Sequence, residues 1–234
     1  MDVIESIVEL ARTREGIYRM FSSLYFTELT DEQIRFFARE GLPLLEGLEG
    51  PVGDGARLAR SSIRRVTSAT REDLAVDYAH TFLAAGSTKG EQRACPYESV
   101  FTSRVGLMMQ EERDAVYKYM LDEHLEPHVN LHVPEDHLSF EFDFMADLCD
   151  RMVVALQEGN LEEAKRVFGV QRAFHREHQL NWIDKFCDTV KQCCRTDFYR
   201  GVADITCGFV RMENELLAET DLLLQQLIEV PETA

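Results

Sequence analysis

The 234-residue sequence predicts an all-α protein, a single-domain bundle of about nine or ten helices spanning residues 1–234. Three observations predict it. Apolar residues recur at steps of three, four or seven through most of the chain, no segment shows the period-2 alternation of a strand, and no internal repeat divides the sequence. With 45% hydrophobic and 29% charged residues but only 6 Pro and 13 Gly, the composition is that of a globular chain and not a disordered one.

The first helix runs from Val3 to about Phe26, with Ile7, Leu10, Ile17, Phe21 and Leu24 on one face. Thr30-Asp31-Glu32-Gln33 fits a capping box ahead of Ile34 and Phe37, and Gly41 ends that second helix. Residues 42–55, rich in Gly and Pro, read as an irregular connection. A third helix carries Leu58, Ala59, Ile63 and Val66, and Arg57, Arg60, Arg64 and Arg71 form a basic stripe that reads as a solvated face. Thr70 to Asp73 starts the next helix, with Leu74, Tyr78 and Phe82 inward and Gly86 as its stop.

Residues 86–96 form a polar loop of a length that often serves function. Helical pattern resumes after Pro96 and continues through Met108, Met109, Val116 and Met120 to Leu125, before Pro127 and Pro134 bracket a second break. A long helix starts near Pro134 and buries Leu138, Phe142, Met145, Cys149, Met152 and Leu156 before Gly159. Asn160 with Glu163 caps the helix that follows, through Phe168 and Phe174, and Ile183, Phe186 and Val190 continue the pattern. The last long helix begins near Thr196-Asp197 and repeats Phe198, Val202, Ile205, Phe209, Met212 and Leu216.

Charge excludes a function class. The 25 Lys and Arg against 42 Asp and Glu leave a formal charge of −17, a surface that repels phosphate backbones, so no nucleic-acid partner is expected. The start of the chain lacks the pattern of a secretory signal, and no segment has the ~18 apolar residues of a membrane span, so the expectation is a cytoplasmic protein without stable membrane insertion. The six cysteines include no C-x-x-C, and reduced, mostly buried thiols are expected.

Catalysis finds little support. His128, His132 and His137 lie near Glu135 and Asp136, but Pro134 interrupts any helix that could align two of the imidazoles as in H-E-x-x-H. There is no Glu-x-x-His of a di-iron bundle, and His178, four residues before Trp182, reads as a packed, hydrogen-bonded histidine. No Walker loop, nucleophile elbow or Cys-His pairing emerges, and neither an enzyme nor a bound cofactor is expected. Two segments gather polar residues beside proline in a way that packing does not demand: Pro96-Tyr97-Glu98-Ser99-Val100 and Pro134-Glu135-Asp136-His137. In the second, Asp136 falls in the first turn of a predicted helix, where a carboxylate gains about 0.3–1 kcal/mol from the helix dipole, so capping explains it as well as binding does.

These segments, in an acidic helical chain, resemble the TorD/DmsD family of redox-enzyme maturation chaperones. The likeness extends to Tyr78 and Phe82 before the loop, to Glu141-Phe142-Asp143-Phe144-Met145, to His178 with Trp182, and to Phe198-Tyr199, covering roughly Tyr18 to Met212. The resemblance implies a cytoplasmic, system-specific chaperone of anaerobic respiration. It would bind the twin-arginine leader and the body of a molybdopterin oxidoreductase precursor while the cofactor is inserted, then release it for export. Carried over from the motifs, Pro96, Tyr97, Glu98, Ser99, Asp136 and His137 are the leader-binding residues, with Met108 and Met109 lining an apolar groove. A histidine beside Asp136 is expected to titrate near neutrality and make peptide affinity pH-dependent. Weak guanine-nucleotide binding is a further implication, and monomer and homodimer both stay open. The alternatives are a NarJ-like nitrate reductase assembly factor, a small helical nucleotide- or metal-dependent enzyme, and a plain scaffold.

Overall fold

The computed structural model describes residues 3–86, 93–125 and 133–229. Glu91 in the first loop, and Pro127, His128 and His132 in the second break, lie outside these residues. Eleven α-helices and one π-helical turn are present among the described residues: α1 (Val3–Phe26), α2 (Asp31–Glu40), α3 (Pro43–Glu46), α4 (Gly50–Ser62), α5 (Ser68–Phe82), α6 (Glu98–Thr102), α7 (Glu111–Asp122), α8 (Leu138–Gln157), α9 (Leu161–Phe174), the π turn His175–Gln179, α10 (Ile183–Cys193) and α11 (Asp197–Glu229). No strand occurs among them, only an isolated antiparallel bridge between Tyr97 and His137. None of these helices is long and apolar enough to cross a membrane.

The all-α expectation holds, and the strongest local signals mark real ends. Thr30 and Gln33 form the capping box of α2, and the Asn160 side chain accepts the Glu163 N–H at the start of α9. Four boundaries differ from expectation. The Gly- and Pro-rich stretch 42–55 holds α3 and the first turns of α4, because Pro51 occupies the opening of a helix, where its missing N–H costs nothing. Helix α5 begins earlier, capped by Thr67, whose hydroxyl pairs with Thr70. The run after Pro96 is two helices, not one; Met109 has φ 62° in the turn between them, a conformation that no helix continues through. Helix α8 starts at Leu138, so Asp136 precedes the helix and His137 caps it.

Helices α1, α8 and α11 meet along an aromatic column that forms the core. Tyr18 and Phe21 of α1 pack on Phe142 of α8 and Phe209 of α11, with ring centroids 5.2–5.8 Å apart. At one end Tyr25 meets Phe82 of α5 and Phe186 of α10. Toward the other, the buried Arg14 guanidinium donates to Glu213 at 2.9 Å and to Gln171 at 2.8 Å, tying α1 to α11 and α9. Helix α4 lies so close to α11 that a Cβ on Gly55 would come within 2.7 Å of the Gly201 carbonyl oxygen. None of the six cysteines forms a disulfide, and Cys149, Cys187, Cys194 and Cys207 are buried.

A buried clasp between the two motif segments as the candidate site

The two polar segments, about forty residues apart in sequence, meet in space. The Glu98 N–H donates to the Asp136 carbonyl at 3.0 Å and the Leu138 N–H to the Pro96 carbonyl at 2.8 Å, which makes the bridge between Tyr97 and His137. Asp136 then closes the join: its Oδ2 accepts the Ser99 N–H at 3.0 Å and the Ser99 hydroxyl at 2.5 Å. It therefore caps the start of α6 from across the fold rather than the helix that follows it in sequence. His137 caps α8 through its own ring, with Nδ1 accepting the Ser139 N–H at 3.2 Å and lying 2.7 Å from the Ser139 hydroxyl. The Tyr97 ring stands edge-on to the imidazole at 4.8 Å, and Phe26 and Phe140 close it in.

All six predicted site residues are thus brought together, and all but the half-buried Tyr97 are buried. Glu98 points inward to the π turn, where its carboxyl meets His178 Nδ1 at 2.8 Å and Asn181 Nδ2 at 2.5 Å. The wider π turn, closed by Leu180 N–H to the His175 carbonyl at 3.0 Å, places His178 there, and Trp182 donates its indole N–H to the His178 carbonyl at 2.6 Å.

Electrostatically the clasp is an acid-rich interior. Burial raises the pKa of Glu98 above the ordinary carboxylate range, with His178 opposing, and burial also raises Asp136 against the Ser99 hydrogen bonds. Glu141, fully buried one turn into α8, is held well above the usual range by desolvation and then by Glu98 and Asp136. Neither Glu141 oxygen, nor Asp136 Oδ1, nor Glu112 Oε2 finds a hydrogen-bond partner among the described residues. His137 does not behave as expected of an imidazole beside a carboxylate. Burial lowers its pKa to about 3, because Asp136 directs its charge to Ser99 and the ring stays in an apolar surround.

Two features border the clasp, and the motifs did not reveal the first. Arg113 of α7 pairs through both Nε and Nη2 with Glu135, the second contact at 2.8 Å, which fastens α7 to the Pro134–His137 segment. Beside it, the turn between α6 and α7 presents Val105, Leu107, Met108 and Met109 at 47–63% exposure, next to a cavity of about 450 Å³ lined in part by Glu111 and Glu112. Periodicity put Met108 and Met109 on a continuous helix and the resemblance put them along an apolar groove; Gly106 at φ 63° turns the chain out of the helix, and both side chains are exposed. A signal for Glu141 was present, a lone acid in the otherwise apolar stripe of α8. Among the described residues no three His, Cys, Asp or Glu side chains are arranged to hold a metal ion.

Comparison with known proteins gives this arrangement a family. The sequence profile of the nitrate reductase delta subunit family matches residues 46–188, more than half the chain and both motif segments. The chaperone protein TorD of Vibrio parahaemolyticus is 29% identical over 87% of this chain and 94% of its own length, and that of Photobacterium profundum 26% identical over 92% and 98%. A solved structure of a proposed redox enzyme maturation protein from Archaeoglobus fulgidus aligns with 88% of this chain and 93% of its own at 15% identity, with a TM-score of 0.45. The chain belongs to the nitrate reductase delta subunit family, and over most of its length it is similar to TorD chaperones.

Proposed function

We propose that the protein is a system-specific chaperone for molybdoenzyme maturation, a binding protein and not an enzyme, which holds a molybdopterin oxidoreductase precursor in the cytoplasm until its cofactor is in place. The observation that carries this reading is the similarity to TorD chaperones over most of a chain whose two motif segments form one junction. The whole chain, 1–234, acts as one chaperone domain. Pro96, Tyr97, Glu98, Ser99, Asp136 and His137 form the floor of the leader site, with Tyr97 as its accessible member. The precursor's twin-arginine leader suits the rim: its apolar stretch has Val105, Leu107, Met108 and Met109 to cover, and its guanidiniums have Glu111, Glu112 and Asp114 to face.

The test is a tagged pull-down from anaerobically grown native cells with mass spectrometry of the partners. A Leu107→Asp, Met109→Asp double variant is the control, since both side chains are exposed and their loss leaves the core intact. Recovery of an unprocessed twin-arginine precursor by the parent protein, and its loss with the variant, is the expected result. Recovery of no precursor from cells that express one would overturn the proposal.

A further inference from the structure

We infer that the corner formed by α2, α3 and α4 is a binding site for a phosphate-bearing small molecule. The corner holds a cavity of about 340 Å³ lined by Ala38, Glu46, Arg57, Arg60, Ser61 and Arg64. That volume lies in the range of small-molecule sites, and its concavity suits a compact ligand better than a flat protein surface does. Three guanidiniums face one carboxylate there, on a molecule whose formal charge is −17. With Asp54 paired to Arg57, the three guanidiniums still outnumber the carboxylates they meet by one, and planar guanidiniums are the side chains best shaped to take phosphate oxygens in pairs.

The arginines are held in place. Glu46 spends both oxygens inside the protein, Oε1 on the Leu42 N–H at 2.8 Å and Oε2 on Arg60 at 2.9 Å. Arg60 also donates to the Arg39 carbonyl at 3.0 Å, and Arg57 to Asp54 at 2.6 Å and to the Glu46 carbonyl. Gly41, at φ 64°, makes room for this: a Cβ there would stand 2.7 Å from Arg60 Cδ and 2.8 Å from its Nε. Each guanidinium has five N–H groups, so both keep donors beyond these contacts. Arg64, exposed in the bend just past the end of α4, forms no side-chain ion pair or hydrogen bond with any described residue and so keeps all its donors for a ligand. Arg71, the fourth member of the basic stripe in the sequence, lies on α5 opposite Asp31 and takes no part.

The experiment is isothermal titration of the full chain with inorganic phosphate and with pyrophosphate at fixed ionic strength, repeated on Arg64→Glu and on Arg65→Glu. Arg65 is exposed and does not line the cavity, so its reversal changes the net charge equally without touching the site. Saturable one-site binding that Arg64→Glu weakens at least tenfold and Arg65→Glu less than twofold is the expected result. Stronger binding of pyrophosphate would assign the ligand to the diphosphates, and equal or weaker binding to the monophosphates. Absence of saturable binding, or equal loss in the two variants, would overturn the inference, and an unchanged thermal midpoint for both variants excludes unfolding as the cause.

Discussion

Glu141 and His137 lie within one turn of each other, both buried, and titrate in opposite senses. Glu141 holds its proton in the folded state at pH values where the unfolded carboxyl has lost it. The folded state then binds more protons than the unfolded one above about pH 4.5, and stability falls as pH rises through that window. We expect Glu141→Gln to remove this slope, so the thermal midpoint of the variant gains on that of the parent protein between pH 5 and pH 8. A constant difference across that range would show the carboxyl already ionised when folded. His137 has its folded pKa lowered to about 3. Here the unfolded state takes up the proton first, so the stability this residue contributes is fully present above pH 6.5 and is lost as pH falls toward 3. Its ring protons should therefore hold a constant NMR shift from pH 5.5 to 8, and leader affinity should not follow a histidine titration; a shift midpoint near 6.5 would refute the burial argument. The position of His137 was readable from the motif because a Pro-x-Asp-His string is local. Its protonation was not, because Tyr97, Phe26 and Phe140 surround the ring only after folding.

At the level of helices, a glycine carries opposite meanings that only packing separates. Gly53 and Gly55 read as helix breakers in sequence, yet they lie inside α4, and Gly55 faces Gly201 of α11 so closely that each lacks space for a side chain. A Cβ on Gly201 would meet the Gly55 carbonyl oxygen at 2.5 Å and the Ala59 nitrogen at 2.7 Å, both backbone atoms that cannot swing aside. Gly201→Ala is expected to cost about 1–3 kcal/mol through overpacking, read as a lower denaturant midpoint. Gly169→Ala, in α9 with nothing within 4 Å of the added methyl, should stabilise by about 0.5–1 kcal/mol because alanine is the better helix former. If both substitutions moved stability the same way, the close α4–α11 contact would not be what Gly201 provides. Helices with capping residues and unbroken stripes, such as α2, α9 and α11, were legible for the same reason that Gly55 was not. Caps and periodicity are written within a few neighbouring residues, whereas a helix crossing is written in two segments far apart. The start of α11 is a further case: Asp77 of α5 accepts the Thr196 N–H at 2.8 Å and the Arg195 N–H at 2.9 Å, a cap supplied across 118 residues.

Across the whole molecule, the proposed capture of a leader would divide between charge, which sets rate, and apolar surface, which sets lifetime. The net charge of −17 surrounds the protein with a field that attracts a cationic peptide from beyond contact distance. The exposed Val105–Met109 turn adds an interaction that acts only after the two have met. This division was legible only in part: composition alone gave the acidity and the resemblance named Met108 and Met109, while Val105 and Leu107 were hidden in what read as a continuous amphipathic helix. It leads to a kinetic prediction for the proposed leader site. Raising salt from 0.01 M to 1 M shortens the screening length from about 30 Å to about 3 Å, so long-range attraction is removed while apolar contact is retained. The association rate of a twin-arginine leader peptide, followed by stopped-flow fluorescence of the Trp182 signal or of a labelled peptide, should fall at least tenfold over that range. The dissociation rate should change less than about threefold, because apolar burial is not screened. Met109→Asp should show the converse, faster dissociation with a nearly unchanged association rate at low salt, since one further negative charge adds little to a field set by the whole surface. A salt dependence carried by dissociation would place the leader's arginines in the buried acidic interior of Glu98, Asp136 and Glu141 rather than at its rim.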